Sequence, residues 1–288
     1  MFSKVLPRST VSVLGFVFVI SIFIGLSASV AMAEDWDMCG NNDEFTSEFR
    51  LEDCEFINKG ENPFFILKPG YQVVLESEDE KSVETVLDDT KWIDLDGRKI
   101  KTRVVEERAY EFEVDEETGE VEEKLIEISL NWFAICKKTN TVYYFGEWSR
   151  DCEDGFDEND ECDDENNAGS WEAGLEGAQP GIMMPGTFLL GAKYFQEVAP
   201  PMAADRGEHV DMGLTVETEA GTFRDCVEVI DTNPVEGGDA CGEEDSKLYC
   251  PGIGLVQDQE LVLVDYGYID DDDDDDKSWR RRHHHRWH

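Results

Sequence analysis

Basic side chains are scarce in this chain: 25 lysines and arginines stand against 67 aspartates and glutamates, for a formal charge of −42. A field of that sign repels phosphate backbones and anionic lipid headgroups, which excludes nucleic-acid binding and favours cationic partners or divalent cations. Histidine is scarcer still. His209 is the only one before the C-terminal tail, so any Ser-His-Asp or Cys-His centre would have to use it. There is no H-E-x-x-H, no phosphate-cradling glycine loop and no C-x-x-C, which removes the zincin, P-loop, zinc-ribbon and thioredoxin chemistries. Ser170 directly follows Gly169, so GSWEAG is not a G-x-S-x-G elbow either. Proline is missing between Pro69 and Pro180, and beyond residue 33 no apolar run is long enough to span a bilayer. The mature chain is therefore expected not to cross a membrane.

What is present begins with a leader pattern. Lys4 and Arg8 precede an apolar run from Val11 to Leu26, and small residues end in Ala31-Met32-Ala33. This is the layout of a cleaved signal peptide over residues 1–33, with a retained anchor as the alternative. It predicts export to a periplasm or the extracellular space. All eight cysteines lie beyond it: Cys39, Cys54, Cys136, Cys152, Cys162, Cys226, Cys241 and Cys250. An even count in an exported chain predicts disulfides. The expected links are a local Cys39–Cys54 loop and bridges within the 136–162 and 226–250 clusters.

Between the turns at Asp96-Gly97, Thr118-Gly119 and Thr139-Asn140 the apolar residues alternate. Tyr110, Phe112 and Val114 share one face; Ile126, Ile128, Leu130, Trp132 and Ala134 share another. Period-two patterning rich in Val, Ile, Tyr, Phe and Trp predicts antiparallel strands, with a long hairpin across Glu106 to Glu127. After Phe145 the composition changes: Asp151 to Glu165 places ten acids in fifteen residues, too polar to build core. Strand patterns resume from Phe188 to Val198, His209 to Thr218, Phe223 to Ile230, Lys247 to Cys250, Ile253 to Gln257 and Glu260 to Tyr266. The expectation is an all-β, disulfide-stabilised fold, a curved or partly closed antiparallel sheet in two lobes. Its segments are an N-terminal β-meander (34–150), an acidic loop (151–168), a C-terminal β lobe (169–268) and a disordered tail (269–288).

The ordered pieces LKPGYQVVLE, TVLDDTK, TRVVEERAYE, NWFA, VYYFGE, GSWEAG, PGIMMPG, AGTFRDC and YCPGIGLV together resemble a group of exported microbial all-β proteins. That resemblance implies export and the fold, and carries no activity. The AGTF to PGIGLV half is also similar, more weakly, to periplasmic curved-sheet proteins related to lipoprotein carriers, which implies architecture alone.

Three functions fit these residues. The first is a non-catalytic binding protein holding an apolar ligand in a concave sheet, with Tyr110, Phe112, Trp132 and Tyr144 as contacts among a wider set that includes Phe65, Phe133 and Phe145. The second is a calcium binder or divalent-cation buffer using Asp154, Asp157, Asp160 and Asp163, although the EF-hand template fails because Arg150 would hold its first position. The tail, seven aspartates Asp270 to Asp276 followed by arginines and histidines, adds His283 and His285 as a transition-metal pair. Met183, Met184, Met202, Met212 and His209 form a further soft-metal set. The third is a hydrolase built on paired carboxylates. No cofactor other than calcium is implied.

Overall fold

The computed structural model describes residues 42–114, 118–152, 169–235 and 244–269. The expected signal peptide, most of the acidic loop and the Asp/Arg/His tail lie outside the described residues. Seventeen strands are present: β1 (Phe56–Ile57), β2 (Gly60–Asn62), β3 (Phe65–Leu67), β4 (Tyr71–Glu76), β5 (Glu80–Leu95), β6 (Arg98–Val114), β7 (Val121–Cys136), β8 (Val142–Asp151), β9 (Trp171–Glu172), β10 (Gln179–Met184), β11 (Lys193–Phe195), β12 (Glu197–Val198), β13 (Arg206–Thr218), β14 (Gly221–Thr232), β15 (Asp245–Cys250), β16 (Gly254–Asp258) and β17 (Leu261–Tyr268). Fifteen of them form one antiparallel sheet in the order β11-β13-β14-β15-β16-β17-β4-β5-β6-β7-β8-β10-β12, with β1 on β7 and β9 on β8; β2 and β3 form a separate hairpin. Among the described residues no helix is long and apolar enough to cross a membrane.

The longest hairpins follow from local chemistry. Between β5 and β6 the two-residue turn Asp96-Gly97 takes φ of 53° and 83°, the left-handed pair that an Asp-Gly turn supplies at least cost, and Leu95 lies opposite Arg98. The β6–β7 hairpin runs from Arg103 opposite Phe133 out to Val114 opposite Val121, as the alternation of Tyr110, Phe112 and Val114 predicts. A bulge interrupts β5 between Val86 and Thr90. It frees backbone carbonyls, and the buried Arg103 guanidinium takes them up, donating to Asp88 O at 2.7 Å and Leu87 O at 3.3 Å, and to Asn58 O at 2.9 Å. One side chain thus satisfies groups that would otherwise be stranded.

The segment from Phe188 to Val198, expected as one strand, is strand only in its second half. Phe188 to Ala192 forms a turn instead, and β11 and β12 flank the single residue Gln196. These two short strands stand at opposite ends of the sheet: β11 pairs with β13, and β12 pairs with β10. The ladder itself does not close. The polypeptide nevertheless joins its two ends across one residue, and the sheet must curl far enough to allow it. Gln196 reinforces the join, its N–H donating to Asp205 O at 2.7 Å and its Nε2 to Asp231 Oδ1 at 3.0 Å.

Close backbone approach, at the seam for Gly181 and at the β7–β8 turn for Gly186, explains two glycines in PGIMMPG. A Cβ on Gly181 would sit 2.2 Å from the Gln196 carbonyl oxygen, and one on Gly186 would sit 1.7 Å from the Thr139 carbonyl oxygen. Backbone passes backbone at both places, which only glycine permits.

The disulfides require a correction. Cys54 bonds Cys136, not Cys39, and Cys136 therefore takes no partner within the 136–162 cluster. The cause is β1: Phe56 lies opposite Cys136 on β7, which brings the neighbouring Cys54 onto the end of that strand. Cys226–Cys250 forms as expected, directly across the β14–β15 ladder. Cys152 is also disulfide-bonded, while Cys39, Cys162 and Cys241 lie outside the described residues.

Substitution of Gly181 by Ala should lower the stability of the fold by about 2–4 kcal/mol, because the clash is with backbone that cannot rotate away. Urea unfolding followed by tryptophan fluorescence measures this; an unchanged midpoint would show that the seam is not tight there.

Candidate functional site

The curled sheet holds a partly open cavity of about 220 Å³. Its wall draws on eight strands of the large sheet path, β14 to β16 and β4 to β8, with β3, β10 and the seam adding to them. β17 lies among them in the sheet without contributing a lining residue. The apolar part is built from Phe65, Tyr71, Phe133, Tyr144 and Tyr249, with Val73, Val86, Val105 and Leu255 between them. Phe133 stacks on Tyr144 with centroids 4.7 Å apart, and Phe65 meets Phe133 edge-on at 5.1 Å.

The rest of the wall is acidic. Glu84, Glu107, Glu147, Glu197, Asp205, Asp231 and Asp258 all line the cavity, and Lys247 is the one base among the described lining residues. Lys247 Nζ lies 3.4 Å from both Asp231 and Asp258. Burial works against its charge, but Asp231 and Asp258 outweigh that and hold the ammonium well above its usual range. The glutamates are served differently. Glu84 and Glu107 lie directly opposite each other on β5 and β6, an arrangement of like charges that costs stability when both ionise. Ser82 Oγ donates to Glu107 at 3.1 Å, and the single Tyr144 hydroxyl proton is shared between Asn131 Oδ1 and Glu147, the latter at 3.2 Å.

These surroundings favour the protonated carboxyl. Burial, followed by the Glu107 charge, pushes Glu84 up to about 8; burial, followed by Glu127 and Glu107, does the same for Glu147. Asp231 rises to about 6, chiefly by burial, with Lys247 acting against the shift. Glu197 lies well above the usual carboxylate range through burial and the nearby Asp205 and Glu147, with the Trp171 N–H opposing. It is only 6% exposed, and its Oε2 makes no hydrogen bond of ordinary distance and angle.

Of the four aromatic contacts expected from sequence, Tyr144 lines the cavity. Trp132 is buried on the other face of β7, with the Lys91 ammonium 3.6 Å from its ring centroid. Tyr110 and Phe112 sit toward the distal end of β6, half-buried and away from the lining. Of the wider aromatic set, Phe65 and Phe133 do line it, whereas Phe145 packs edge-on against Phe56 at 5.3 Å. The inward residues of β7 are Asn131 and Phe133, one position out of step with Trp132. Because β7 is buried on both faces, its apolar run did not show which side faces the cavity.

The metal candidates Asp154, Asp157, Asp160, Asp163, His283 and His285 lie outside the described residues. Among the described residues no group of three or more His, Cys, Asp or Glu side chains is placed to hold a metal ion. In the soft-metal set, Met183 lines the cavity, Met184 is fully buried, and Met202 and Met212 are exposed. His209 is 1% exposed and stacked on Phe188 at 3.8 Å, with its Nδ1 3.1 Å from Leu189 O and its Nε2 3.0 Å from Tyr194 OH. Both nitrogens are engaged within the fold, and burial lowers its pKa to about 4.

The sign of each shift sets a pH window. Glu84 and Glu147, at 4.5 ordinarily and about 8 in the fold, contribute stability that is full below 4.5 and lost as pH rises through about 8. His209, at 6.5 ordinarily and about 4 in the fold, contributes stability that is full above 6.5 and lost as pH falls through about 4. Glu84→Gln and Glu147→Gln should therefore leave stability unchanged near about pH 4.5 and raise it by roughly 1–3 kcal/mol near about pH 9. Chemical denaturation of each variant at the two pH values checks this, and an equal effect at both would contradict it. No family model, no curated protein and no solved structure matches this chain, so its function has to be argued from the cavity itself.

Proposed function

We propose that this chain is an exported, non-catalytic binding protein that holds a small organic molecule inside its curled sheet. The observation that carries the reading is the cavity: an aromatic wall of Phe65, Tyr71, Phe133, Tyr144 and Tyr249 facing a ring of buried polar groups. Such a mixture of apolar surface and a few convergent polar groups is what small-molecule sites use to gain affinity and orientation. Export is supported by the leader pattern and by disulfides that persist in oxidising compartments. Where the sequence led to the expectation of an apolar ligand, the proposal here is an amphipathic one, because carboxyls line the wall beside the rings.

Filling the cavity separates a binding role from a packing role. Val86 is 5% exposed and lines the cavity, and Val86→Trp should abolish uptake of small aromatic ligands while costing about 1–3 kcal/mol of stability. Native mass spectrometry of the protein from its producing cells should show a bound organic adduct in the wild type that the filled variant lacks. An adduct retained by Val86→Trp would place the ligand elsewhere and sink the proposal.

A further inference from the structure

We propose that the ligand is an organic cation, an ammonium carried on an apolar or aromatic body, received by the glutamates of β5, β6, β8 and β12. The inference rests on the binding reading above and adds the charge of what is bound.

Lys247 is already held between Asp231 and Asp258. The carboxyls that remain on the wall are Glu84, Glu107, Glu147, Glu197 and Asp205. The neutral donors that reach the glutamates are few: Ser82 gives one hydrogen bond to Glu107, Tyr144 divides its one proton between Glu147 and Asn131, and the Trp171 N–H lies beside Glu197. A carboxylate can accept about four hydrogen bonds, so acceptor capacity exceeds supply.

Glu197 shows the deficit directly. It is only 6% exposed, it lines the cavity, and its Oε2 makes no hydrogen bond of ordinary distance and angle, the Trp171 N–H and Asp205 being the polar groups beside it. A buried acceptor left in this way is costly unless a donor arrives from outside the fold. The acceptors are spread over several strands, next to stacked rings. A wall of this shape suits a cation with several N–H donors on an apolar body, whose charge is also drawn to the faces of Phe133, Tyr144 and Tyr249.

A cation and protons compete for these carboxyls, so binding should tighten with pH. The titratable groups that face the site are Glu84 on β5, Glu107 on β6, Tyr144 and Glu147 on β8, Glu197 on β12, Asp205 before β13, Asp231 on β14, Lys247 and Tyr249 on β15, Asp258 on β16 and Tyr71 on β4. Lys247 stays protonated throughout, held by Asp231 and Asp258.

The test is calorimetric titration of the full chain with three probes that share a phenethyl body: 2-phenylethylammonium, 2-phenylethanol and 3-phenylpropionate. The ammonium is expected to bind at least about tenfold more tightly than the alcohol, and the carboxylate more weakly than either. Ammonium affinity should rise by about tenfold from about pH 6 to about pH 9, with the alcohol's unchanged. Glu197→Gln, which keeps the shape, should weaken the ammonium by about fivefold or more and leave the alcohol alone. Should that variant fail to fold, the wild type supplies the same information: heats measured in buffers of different ionisation enthalpy should reveal proton release with the ammonium and none with the alcohol. Equal affinity for ammonium and alcohol would overturn the cation and leave the cavity reading standing. Silence from all three probes would overturn both.

Discussion

The whole architecture depends on six residues, Lys193–Val198, whose two halves hydrogen-bond to opposite ends of one long sheet. A thirteen-strand path would twist into an open propeller if its ends were free. Here the chain ties the ends together across Gln196, and curvature becomes obligatory. Everything inside the curl follows from that restraint, including the close approach at Gly181 and the meeting of residues from β5, β8 and β14 around one space. The bulges along β5, β7, β8, β13 and β17 are where such curvature is absorbed, since an extra residue bends a strand and deepens its twist.

The contents of the curl run against stability. Carboxyls facing one another in a buried site are held by taking up protons or by meeting a cation, and Lys247 is the single cation among the described residues that line it. Sites that conflict with stability are where ligand binding is commonly found, because the ligand relieves what the empty fold must tolerate. At other buried positions polar groups are met inside the fold, as Arg103 meets the carbonyls at the β5 bulge and Asn62 meets Asn140 O and Pro185 O. The contrast between those sites and Glu197 makes the cavity stand apart from the scaffold.

Much of the scaffold was legible in the sequence. The Asp-Gly turn, the period-two runs and the absence of proline from Gly70 to Gln179 all announce long antiparallel hairpins, and these formed. The cavity was less legible, because acid is everywhere and a glutamate in a strand ordinarily marks the solvent face. A usable signal did exist: Glu84 shares a face with Val86, and Glu107 with Val105, so the alternation itself places acid among inward-facing valines. Glu197 gave no such sign, because its position depends on the seam, a contact between segments far apart in sequence. Cys54–Cys136 was hidden for the same reason, since two residues of β1 decide it.

The place of β17 has a consequence for how the molecule assembles. It lies between β16 and β4, with Leu263 opposite Leu75 and Tyr268 opposite Tyr71. β4 is among the first strands made and β17 is the last, so one edge of β4 stays bare until nearly the whole chain has been synthesised. Its alternating apolar residues Tyr71, Val73 and Leu75 are an adhesive edge for that interval. The β4–β5 hairpin can form early from local contacts, but joining the two arms of the sheet is a late, long-range event of the kind that makes β proteins slow to fold. The space inside the curl therefore comes into being only at the end of folding, when its last missing strand has arrived.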